Sequence, residues 1–308
     1  MKLIPTLKQL EYLSALAETQ HFGKAAERCS VTVSTLSAGI QDLEDVLGVA
    51  LAERTKRRVL ITSLGNDIAI RARTLLLGAE DIMSLATTNR TPLTGDVRLG
   101  VIPTVGPFLL PRILHGLRTS YPALRLILDE KLTQPLLDRL RFGELDLALI
   151  ALPFDTRELA TQVLFEDEFV FACSEGHPFG RQRKVSMADL AREPLMLLEE
   201  GHCLRAHALQ VCTQRGKDRR SPFEASSFHT LVQMVGSGIG VTLLPKLAVD
   251  MGIADGMDIS LLPLAEPASR QIALVWRQAS PRHDEFAMLA RAIQDLVARP
   301  SATARRSR

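Results

Sequence analysis

The sequence predicts an α/β protein whose amino-terminal part is a separate, largely helical unit. Three observations predict this fold class. Apolar residues recur at steps of three and four from residue 7 to residue 86, which is helical spacing. A polar stretch, TTNRTPLTG at 87–95, then interrupts the pattern. Beyond it, short apolar strands alternate with helices, and at 308 residues the chain is long enough for two or three domains.

Composition excludes several classes of protein. An apolar content of 46% and a charged content of 23% are typical of globular proteins, and a net charge of +2 means that any basic patch must be local. Four scattered cysteines are too few for a secreted disulfide scaffold. The first residues, MKLIPTLKQLEYL, do not form a signal peptide, and no uncharged apolar run approaches the length of a membrane span. We therefore expect a soluble, cytoplasmic protein with no membrane partner.

The first 62 residues predict a helix-turn-helix. Leucines at helical spacing over 7–18 form the first helix, Phe22 begins a short second helix, and Thr32 caps a third that runs to about Leu47. The inward stripe of the third helix is Leu36, Ile40, Leu43 and Leu47. Its opposite face is small and polar, so it can approach the DNA major groove closely.

The segment LAERTKRRVLIT predicts two short strands around a basic turn, which would form a wing next to the recognition helix. Such a wing would contact phosphates or the minor groove. The candidate DNA-binding residues are Val33, Ser34, Thr35, Ser37, Gln41, Arg54, Arg57 and Arg58. The alternative at this point is a plain helical bundle with a solvated run of charge.

Residues 63–90 predict a linker that is mostly one long helix. Its apolar seam is Leu64, Ile68, Ala72, Leu75, Ala79, Ile82 and Ala86. Steps of four and three along an exposed helix suit a coiled-coil-like contact with a second chain. We therefore expect at least a homodimer.

Residues 91–300 predict two α/β subdomains. Continuous apolar strands such as VRLGVI and LDLALI, separated by helices, indicate a parallel sheet covered on both faces. Subdomain I is expected at about 91–165 and 267–300, and subdomain II at about 166–266. The strands that cross between them give an arrangement like a periplasmic binding protein, in which ligands occupy the cleft. The tail, 301–308, is expected to be disordered.

The sequence around Cys203 favours a reactive thiol. It follows His202, lies two residues before Arg205, and begins an apolar run that places it near a helix N-terminus. These features lower the pKa of a thiol and make it a better nucleophile, whereas Glu199 and Glu200 act in the opposite direction.

The second thiol of this segment, Cys212, lies nine residues further on. In a continuous helix that separation is about 13.5 Å of rise and about half a turn, so the two thiols would face opposite sides. A disulfide needs Cα atoms within about 7 Å, so the pair can bridge only if the segment rearranges. The alternative is that both cysteines are small buried residues without redox function. Cys29 and Cys173 are expected to be packing residues of this kind.

The first sixty residues resemble the winged helix-turn-helix of the LysR-type transcriptional regulators. The motifs FGKAAERC, VTVSTLS, IQDLEDVLG and ERTKRRVLIT occur in the family's order. Ser34 stands where the family often has proline, and Ala38 where it often has a basic or amide residue. These departures bear on which bases are preferred.

The remainder resembles the LysR effector domain and, more narrowly, the members of the family that sense hydrogen peroxide. The motif GHCLR, a second cysteine at the same interval, IPTVGPFLLP and SGIGVTLLP carry this resemblance. It implies that Cys203 is the peroxidatic thiol and Cys212 the resolving thiol. Ala206 stands where an acidic residue is usual, which bears on the stability of the oxidised form.

The same resemblance implies a set of peroxide-binding residues. Thr104 and Thr133 would offer hydroxyls to the peroxide, with His202 and Arg205 beside them and Arg270 as a basic residue near the site. Fixed donors would stabilise the negative charge on the leaving oxygen. His207 and His229 are expected to be surface or core histidines. No Cys/His spacing predicts zinc, and no cofactor is expected.

Three classes of function compete. The first is a transcription regulator switched by oxidation of Cys203, whose partners are double-stranded DNA, hydrogen peroxide, a thiol reductant and, as a further candidate, RNA polymerase, in a homodimer or homotetramer. The second is a LysR-type regulator that binds a small organic effector in the cleft. The third, a thiol peroxidase, is disfavoured because an enzyme has no use for a DNA-binding unit, so we expect a regulator and not an enzyme.

Overall fold

The computed structural model describes residues 4–54, 59–86, 91–213 and 220–299. The chain forms two compact units that divide between residues 90 and 91. Residues 55–58 of the predicted basic turn, which include Arg57 and Arg58, lie outside the described residues, as do residues 87–90 of the expected linker and the expected disordered tail. Within the described ranges, no helix has the combination of length and apolar composition that crossing a bilayer requires.

The first unit contains four helices and a two-stranded antiparallel sheet. They are α1 Leu7–Thr19, α2 Phe22–Arg28, α3 Val33–Leu47, β1 Ala52–Arg54, β2 Val59–Ile61 and α4 Ser63–Ala86. Side-chain caps determine where two of the helices begin: Thr6 forms a capping box with Gln9, and Thr32 accepts from the amide of Thr35. Gly48, at φ +70°, ends α3 in the left-handed conformation that favours glycine.

The core of this unit follows the predicted helical spacing. Leu36, Ile40 and Leu43 are fully buried, and Ala25 and Ala26 allow the short second helix to pack closely. The helix of 7–18 is confirmed, but its first leucine is an exception. Leu7 is exposed, because it occupies the first position of α1, outside the layer formed by Leu10, Leu13 and Leu16.

The long helix α4 corrects part of the predicted seam. Ala72 is buried in the core of its own unit and Ile68 packs against that core, so these residues do not lie on a free surface. Leu75 and Ile82, by contrast, remain 59% and 67% exposed. The spacing of the apolar residues could not show which part of the stripe is buried. Helix α1 packs against one edge of the stripe and leaves the other edge exposed.

The second unit is an α/β structure. Its strands are β3 Gly95–Val101, β4 Leu124–Glu130, β5 Leu147–Leu152, β6 Leu159–Ser174, β7 Leu195–Leu198, β8 Arg220–Ala225, β9 Thr242–Pro245, β10 Ile259–Pro263 and β11 Ser269–Arg277. Its helices are α5 Gly106–Ser120, α6 Thr133–Arg141, α7 Met187–Leu190, α8 Cys203–Thr213, α9 Phe228–Gly236, α10 Lys246–Asp250 and α11 His283–Ala298, with a 3₁₀ helix at Pro178–Arg181. The 3₁₀ helix, α7 and α10 were not predicted, because one or two turns are too short to show a period.

The main sheet is mixed, which corrects the expectation of a wholly parallel sheet. Its order is β10-β6-β11-β5-β3-β4, with β9 also paired to β6. Strand β3 runs parallel to β4 and β5, whereas β11 runs antiparallel to β5 and β6. The two long strands β6 and β11 carry the chain out of the first subdomain and back into it, so they run in opposite directions.

One strand also departs from the expected burial on both faces. Ile127 and Leu128 of the edge strand β4 are 41% and 44% exposed. The apolar run of β4 therefore does not mean that both faces are covered within this chain. A small separate parallel sheet, β7-β8, supports helix α8 in the second subdomain.

Candidate functional site

The polar face of α3 is exposed, as a recognition helix requires. Val33, Ser34, Thr35 and Gln41 are exposed, and Ser37 is half-buried. The hydroxyl of the N-cap residue Thr32 lies 2.8 Å from the hydroxyls of both Ser34 and Thr35. This cluster orders the first turn of α3, the end of a recognition helix whose residues contact base edges.

The geometry around α3 is that of a helix-turn-helix. The turn from α2 to α3 occupies residues 29–32, with Ser30 in the left-handed region at φ 54°. Arg54 is the last residue of β1, which pairs antiparallel with β2. The assignment of the individual residues to DNA contacts stays a prediction.

Cys203 is the first residue of α8, and it is buried. The chain enters this helix through Gly201, whose φ of +95° is strained for other residues. Leu132 packs against this turn, since a Cβ added at Gly201 would lie 3.0 Å from Leu132 Cδ1. The residue before Thr133 therefore contacts the segment that leads into the thiol.

Arg270 organises the buried polar part of the site. Its Nη1 donates to Thr104 Oγ1 at 2.9 Å, and its Nη2 donates to the carbonyl of Thr104 at 3.0 Å. Its Nε and Nη2 also donate to Asp167 Oδ2 at 3.1 and 3.0 Å. The ion pair joins cross-strand partners of β11 and β6, and the side chains are 0% and 1% exposed. Two of the predicted residues, Thr104 and Arg270, are thus in direct contact.

Thr133 begins α6 and is buried. Among the described residues, its hydroxyl has no hydrogen-bond partner. A buried hydroxyl normally finds a partner, so that of Thr133 is available to bond to a small polar ligand.

Arg205 contacts the small sheet through one nitrogen of its guanidinium group. Its Nη1 donates to the carbonyl of Leu198 at 2.8 Å and to Glu224 Oε1 at 2.6 Å. These bonds attach the first turn of α8 to β7 and β8. The contacts of Nη1 are therefore with the small sheet rather than with Thr104, and they give Arg205 a role in anchoring α8.

His202 is half-buried. Burial lowers the pKa of its imidazole, while Glu199 and a backbone hydrogen bond with Ser226 raise it. The net direction is downward, so the side chain favours its neutral form.

His207 was expected to be an ordinary surface or core histidine, and its burial agrees with the second of these. Its Nε2 lies 2.8 Å from the carbonyl oxygen of Leu152, and its ring lies beside Phe169 with centroids 6.4 Å apart. Among the described residues, its Nδ1 has no partner. The sequence contained one indication of the position of His207. It lies four residues after Cys203, which places both residues on one face of α8.

Both cysteines of the pair lie in α8, so the predicted helical segment is confirmed. Cys212 is in the last turn of this helix, and its side chain lies outside what the structure describes. The other two thiols agree with the packing role expected for them. Cys29 and Cys173 are buried, and burial raises the pKa of each.

The two units correspond to two known sequence families. Residues 7–66 match the bacterial regulatory helix-turn-helix proteins of the lysR family, and residues 90–298 match the LysR substrate binding domain. The chain therefore belongs to the LysR family of helix-turn-helix transcriptional regulators. The family and the fold class that the motifs predicted are confirmed.

Individual relatives extend over nearly the whole chain. The chain is 41% identical to the HTH-type transcriptional regulator EstR of Acinetobacter baylyi, over 98% of this chain and 99% of EstR. It is 42% identical to the hydrogen peroxide-inducible genes activator of Escherichia coli O157:H7, over 94% of each. Among solved structures, a full-length OxyR variant from Pseudomonas aeruginosa is similar with a TM-score of 0.79 and 37% identity, over 95% of each chain.

Proposed function

We propose that the protein is a DNA-binding transcription regulator that senses hydrogen peroxide by oxidation of Cys203 and then forms a disulfide with Cys212. The observation that carries this proposal is the position of Cys203, a buried thiol at the first residue of the helix that also contains Cys212. The similarity to the E. coli relative, a hydrogen peroxide-inducible genes activator, supports the same chemistry.

In the proposed reaction, the sulfur of Cys203 attacks one oxygen of the peroxide and the other oxygen leaves. Thr104 is suited to stabilise this leaving oxygen. Because Thr104 Oγ1 accepts a hydrogen bond from Arg270, its own hydrogen is free to point toward a ligand. Thr133 offers a second buried hydroxyl. His202 and Arg205 are proposed to lie beside these hydroxyls, and Arg205 also anchors α8 through Leu198 and Glu224.

The switch follows from the length of α8. Its eleven residues hold the backbone positions of the two cysteines about 13.5 Å apart along the axis, too far for a disulfide. Capture of the sulfenic acid by Cys212 therefore requires at least part of the helix to unwind. Unwinding would detach Arg205 from Leu198 and Glu224, and the disulfide would hold the segment in a second packing.

In a dimer or tetramer, this second packing would change how the recognition helices are presented to DNA. The exposed stripe of α4, with Leu75 and Ile82, supports self-association of the chain. The partners proposed are double-stranded DNA, a thiol reductant and RNA polymerase, all in the cytoplasm.

A second candidate is a LysR regulator that binds a small organic effector. The reason for this second candidate is the similarity to EstR, which is about as high as the similarity to the E. coli activator. In that case the thiols would have no part in the response.

One comparison separates the two candidates. A DNA duplex is selected from a random pool with oxidised wild-type protein, and binding to it is measured with and without hydrogen peroxide. Peroxide should change the affinity of wild type, and Cys203→Ser should abolish the change. Cys212→Ser should still form a sulfenic acid but should not keep the oxidised binding mode. If peroxide changed the affinity of Cys203→Ser as much as that of wild type, the thiol sensor would be excluded and the effector-binding regulator would be favoured.

A further inference from the structure

Three buried side-chain polar atoms in the described residues have no hydrogen-bond partner: Arg112 Nε, Thr133 Oγ1 and His207 Nδ1. Arg112 is engaged elsewhere, because its Nη2 donates to the carbonyl of Val297 at 2.7 Å. His207 is the more informative of the other two. An unpaired buried polar atom costs about 1–3 kcal/mol, so one that lies a single helical turn from Cys203 points to a functional role.

The contact with Leu152 determines the tautomer of His207. A carbonyl oxygen can only accept a hydrogen bond, so Nε2, at 2.8 Å from it, must carry the hydrogen. In a neutral imidazole the other nitrogen is then bare. His207 Nδ1 is therefore a buried, unpartnered proton acceptor among the residues that the structure describes.

The surroundings keep this imidazole neutral. Burial lowers the pKa of His207 most, the bond to Leu152 raises it, and the charge of Arg270 lowers it further. Arg270 is itself paired with Asp167, and the side of His207 toward β6 is covered by the uncharged ring of Phe169. The ring therefore has an empty site for a proton near neutral pH.

Cys203 lies four residues before His207 on the same helix. Residues four apart in a helix are neighbours, with Cβ atoms about 5–6 Å apart. Helical side chains lean toward the N-terminus of the helix, which directs a side chain at position 207 toward the turn that contains Cys203. Both side chains are buried, and they share no hydrogen bond in this structure, so proton transfer requires Sγ and Nδ1 to approach each other when peroxide binds.

We propose that His207 Nδ1 accepts the proton of the Cys203 thiol and returns it to the departing oxygen of hydrogen peroxide. This rests on the proposed peroxide-sensing function. A sulfur electron pair forms the bond to the near oxygen, which keeps its hydrogen, and the O–O bond breaks. The far oxygen leaves with the electron pair and takes the proton from Nδ1, giving water. The thiol is oxidised by two electrons to a sulfenic acid, and His207 ends as it began.

The test uses full-length protein carrying Cys212→Ser, so that oxidation stops at the sulfenic acid. The rate of sulfenic acid formation is measured by rapid mixing with peroxide and trapping with dimedone, over a pH range from about 6 to about 9 that spans the ordinary pKa of histidine. His207→Gln keeps a donor for Leu152 but removes the proton acceptor. Near pH ~6.5 we expect it to react about 10²-fold more slowly, the range typical of general acid–base catalysis.

The pH profile is the decisive readout. The rate of the parent should change little between about pH 6.5 and about pH 8, whereas that of His207→Gln should rise steeply with pH as hydroxide replaces the missing base. His207→Asn, which retains a polar atom near the Nδ1 position but takes no proton, should show the same profile. His177→Gln removes a half-buried histidine that caps the 3₁₀ helix and should behave like the parent.

Two results would overturn the proposal. One is a rate for His207→Gln and His207→Asn within about twofold of the parent near pH ~6.5, far below the effect of removing a general base. The other is a loss of equal size at every pH, which would assign His207 a merely structural role. Neither result would contradict the proposed peroxide-sensing function. That function would be contradicted if no sulfenic acid could be trapped at Cys203 in the parent protein, which carries only Cys212→Ser.

Discussion

Two buried arginines support the thiol site in opposite ways. Arg270 and Asp167 form an ion pair with side chains 0% and 1% exposed, and Asp167 Oδ1 also accepts from the amide of Leu247 at 2.8 Å. Arg205 pairs instead with Glu224, whose side chain is 40% exposed. The first pair joins strands of the central sheet, whereas the second attaches the helix that unwinds in the proposed switch. The same type of residue thus forms a permanent part of the core in one case and a reversible attachment of a helix in the other.

The difference has an energetic basis. Breaking a fully desolvated ion pair by removing one partner leaves an uncompensated buried charge, at a cost of about 3–5 kcal/mol. An ion pair with a half-exposed partner is worth about 0.2–1 kcal/mol, because water replaces the lost contact. A segment that must unwind is therefore better held by the second kind of pair. Substitutions at the two pairs, and at the hydroxyl that Arg270 holds, test this contrast.

The largest effect is expected for Asp167→Ala. It leaves the charge of Arg270 buried without its partner and removes the acceptor for the amide of Leu247. We expect the free energy of unfolding to fall by about 3–5 kcal/mol. Urea unfolding followed by the fluorescence of Trp276 measures this, since it is the single tryptophan and lies on the same strand as Arg270.

The matched control for Asp167 is Asp250→Ala. Asp250 accepts from Lys246 Nζ at 2.5 Å, in a pair whose side chains are 48% and 46% exposed. The same substitution there should cost less than about 1 kcal/mol. Equal costs at the two positions would mean that Asp167 does not compensate the charge of Arg270.

The sequence predicted Arg270 through the family resemblance but did not indicate Asp167. The run Glu166, Asp167, Glu168 lies in a strand, and alternation alone does not tell which carboxylate points inward. The answer depends on the pairing of β6 with β11, where Asp167 lies opposite Arg270. Contacts of this kind join residues that are far apart in the chain and leave no local period.

The secondary structure was predictable for the opposite reason. The stripe Leu36, Ile40, Leu43 and the cap Thr32 are local signals, and they placed α3 correctly. Thr104 could be predicted because it follows a strand in a recognisable motif. The unpartnered atoms of Thr133 and His207 in the described part of the chain could not be predicted, since whether a buried atom finds a partner depends on every element packed around it.

The next largest effect is expected for Thr104→Val. The substitution keeps the shape of the side chain but removes the hydroxyl that Arg270 holds in place. Oxidation of Cys203 should slow by about 10²–10³, as for the removal of one preorganised donor. Rapid mixing with peroxide in the Cys212→Ser background measures the rate.

Thr242→Val controls for the loss of a buried hydroxyl as such. Thr242 is also buried, and its hydroxyl donates to the carbonyl of Met196 at 2.9 Å. This variant should lose stability and keep its oxidation rate. A slow Thr242→Val, or a Thr104→Val as fast as wild type, would show that the hydroxyl held by Arg270 has no special part in the reaction.

The smallest effect is expected for Glu224→Gln, and it should appear in the redox equilibrium. The substitution weakens the anchor of Arg205 without removing its bond to Leu198. Only the reduced, helical form uses this anchor in the proposed switch, so the form lost on oxidation is destabilised by about 0.5–1 kcal/mol. For a two-electron couple this makes the potential of the Cys203–Cys212 disulfide about 10–20 mV more negative. Equilibration with glutathione buffers, read by the fraction of disulfide, measures the shift, and Glu199→Gln, on the same segment but outside this anchor, serves as the control. An unchanged potential would mean that the oxidised form keeps the Arg205–Glu224 pair, and the helix would then not need to release its anchor to switch.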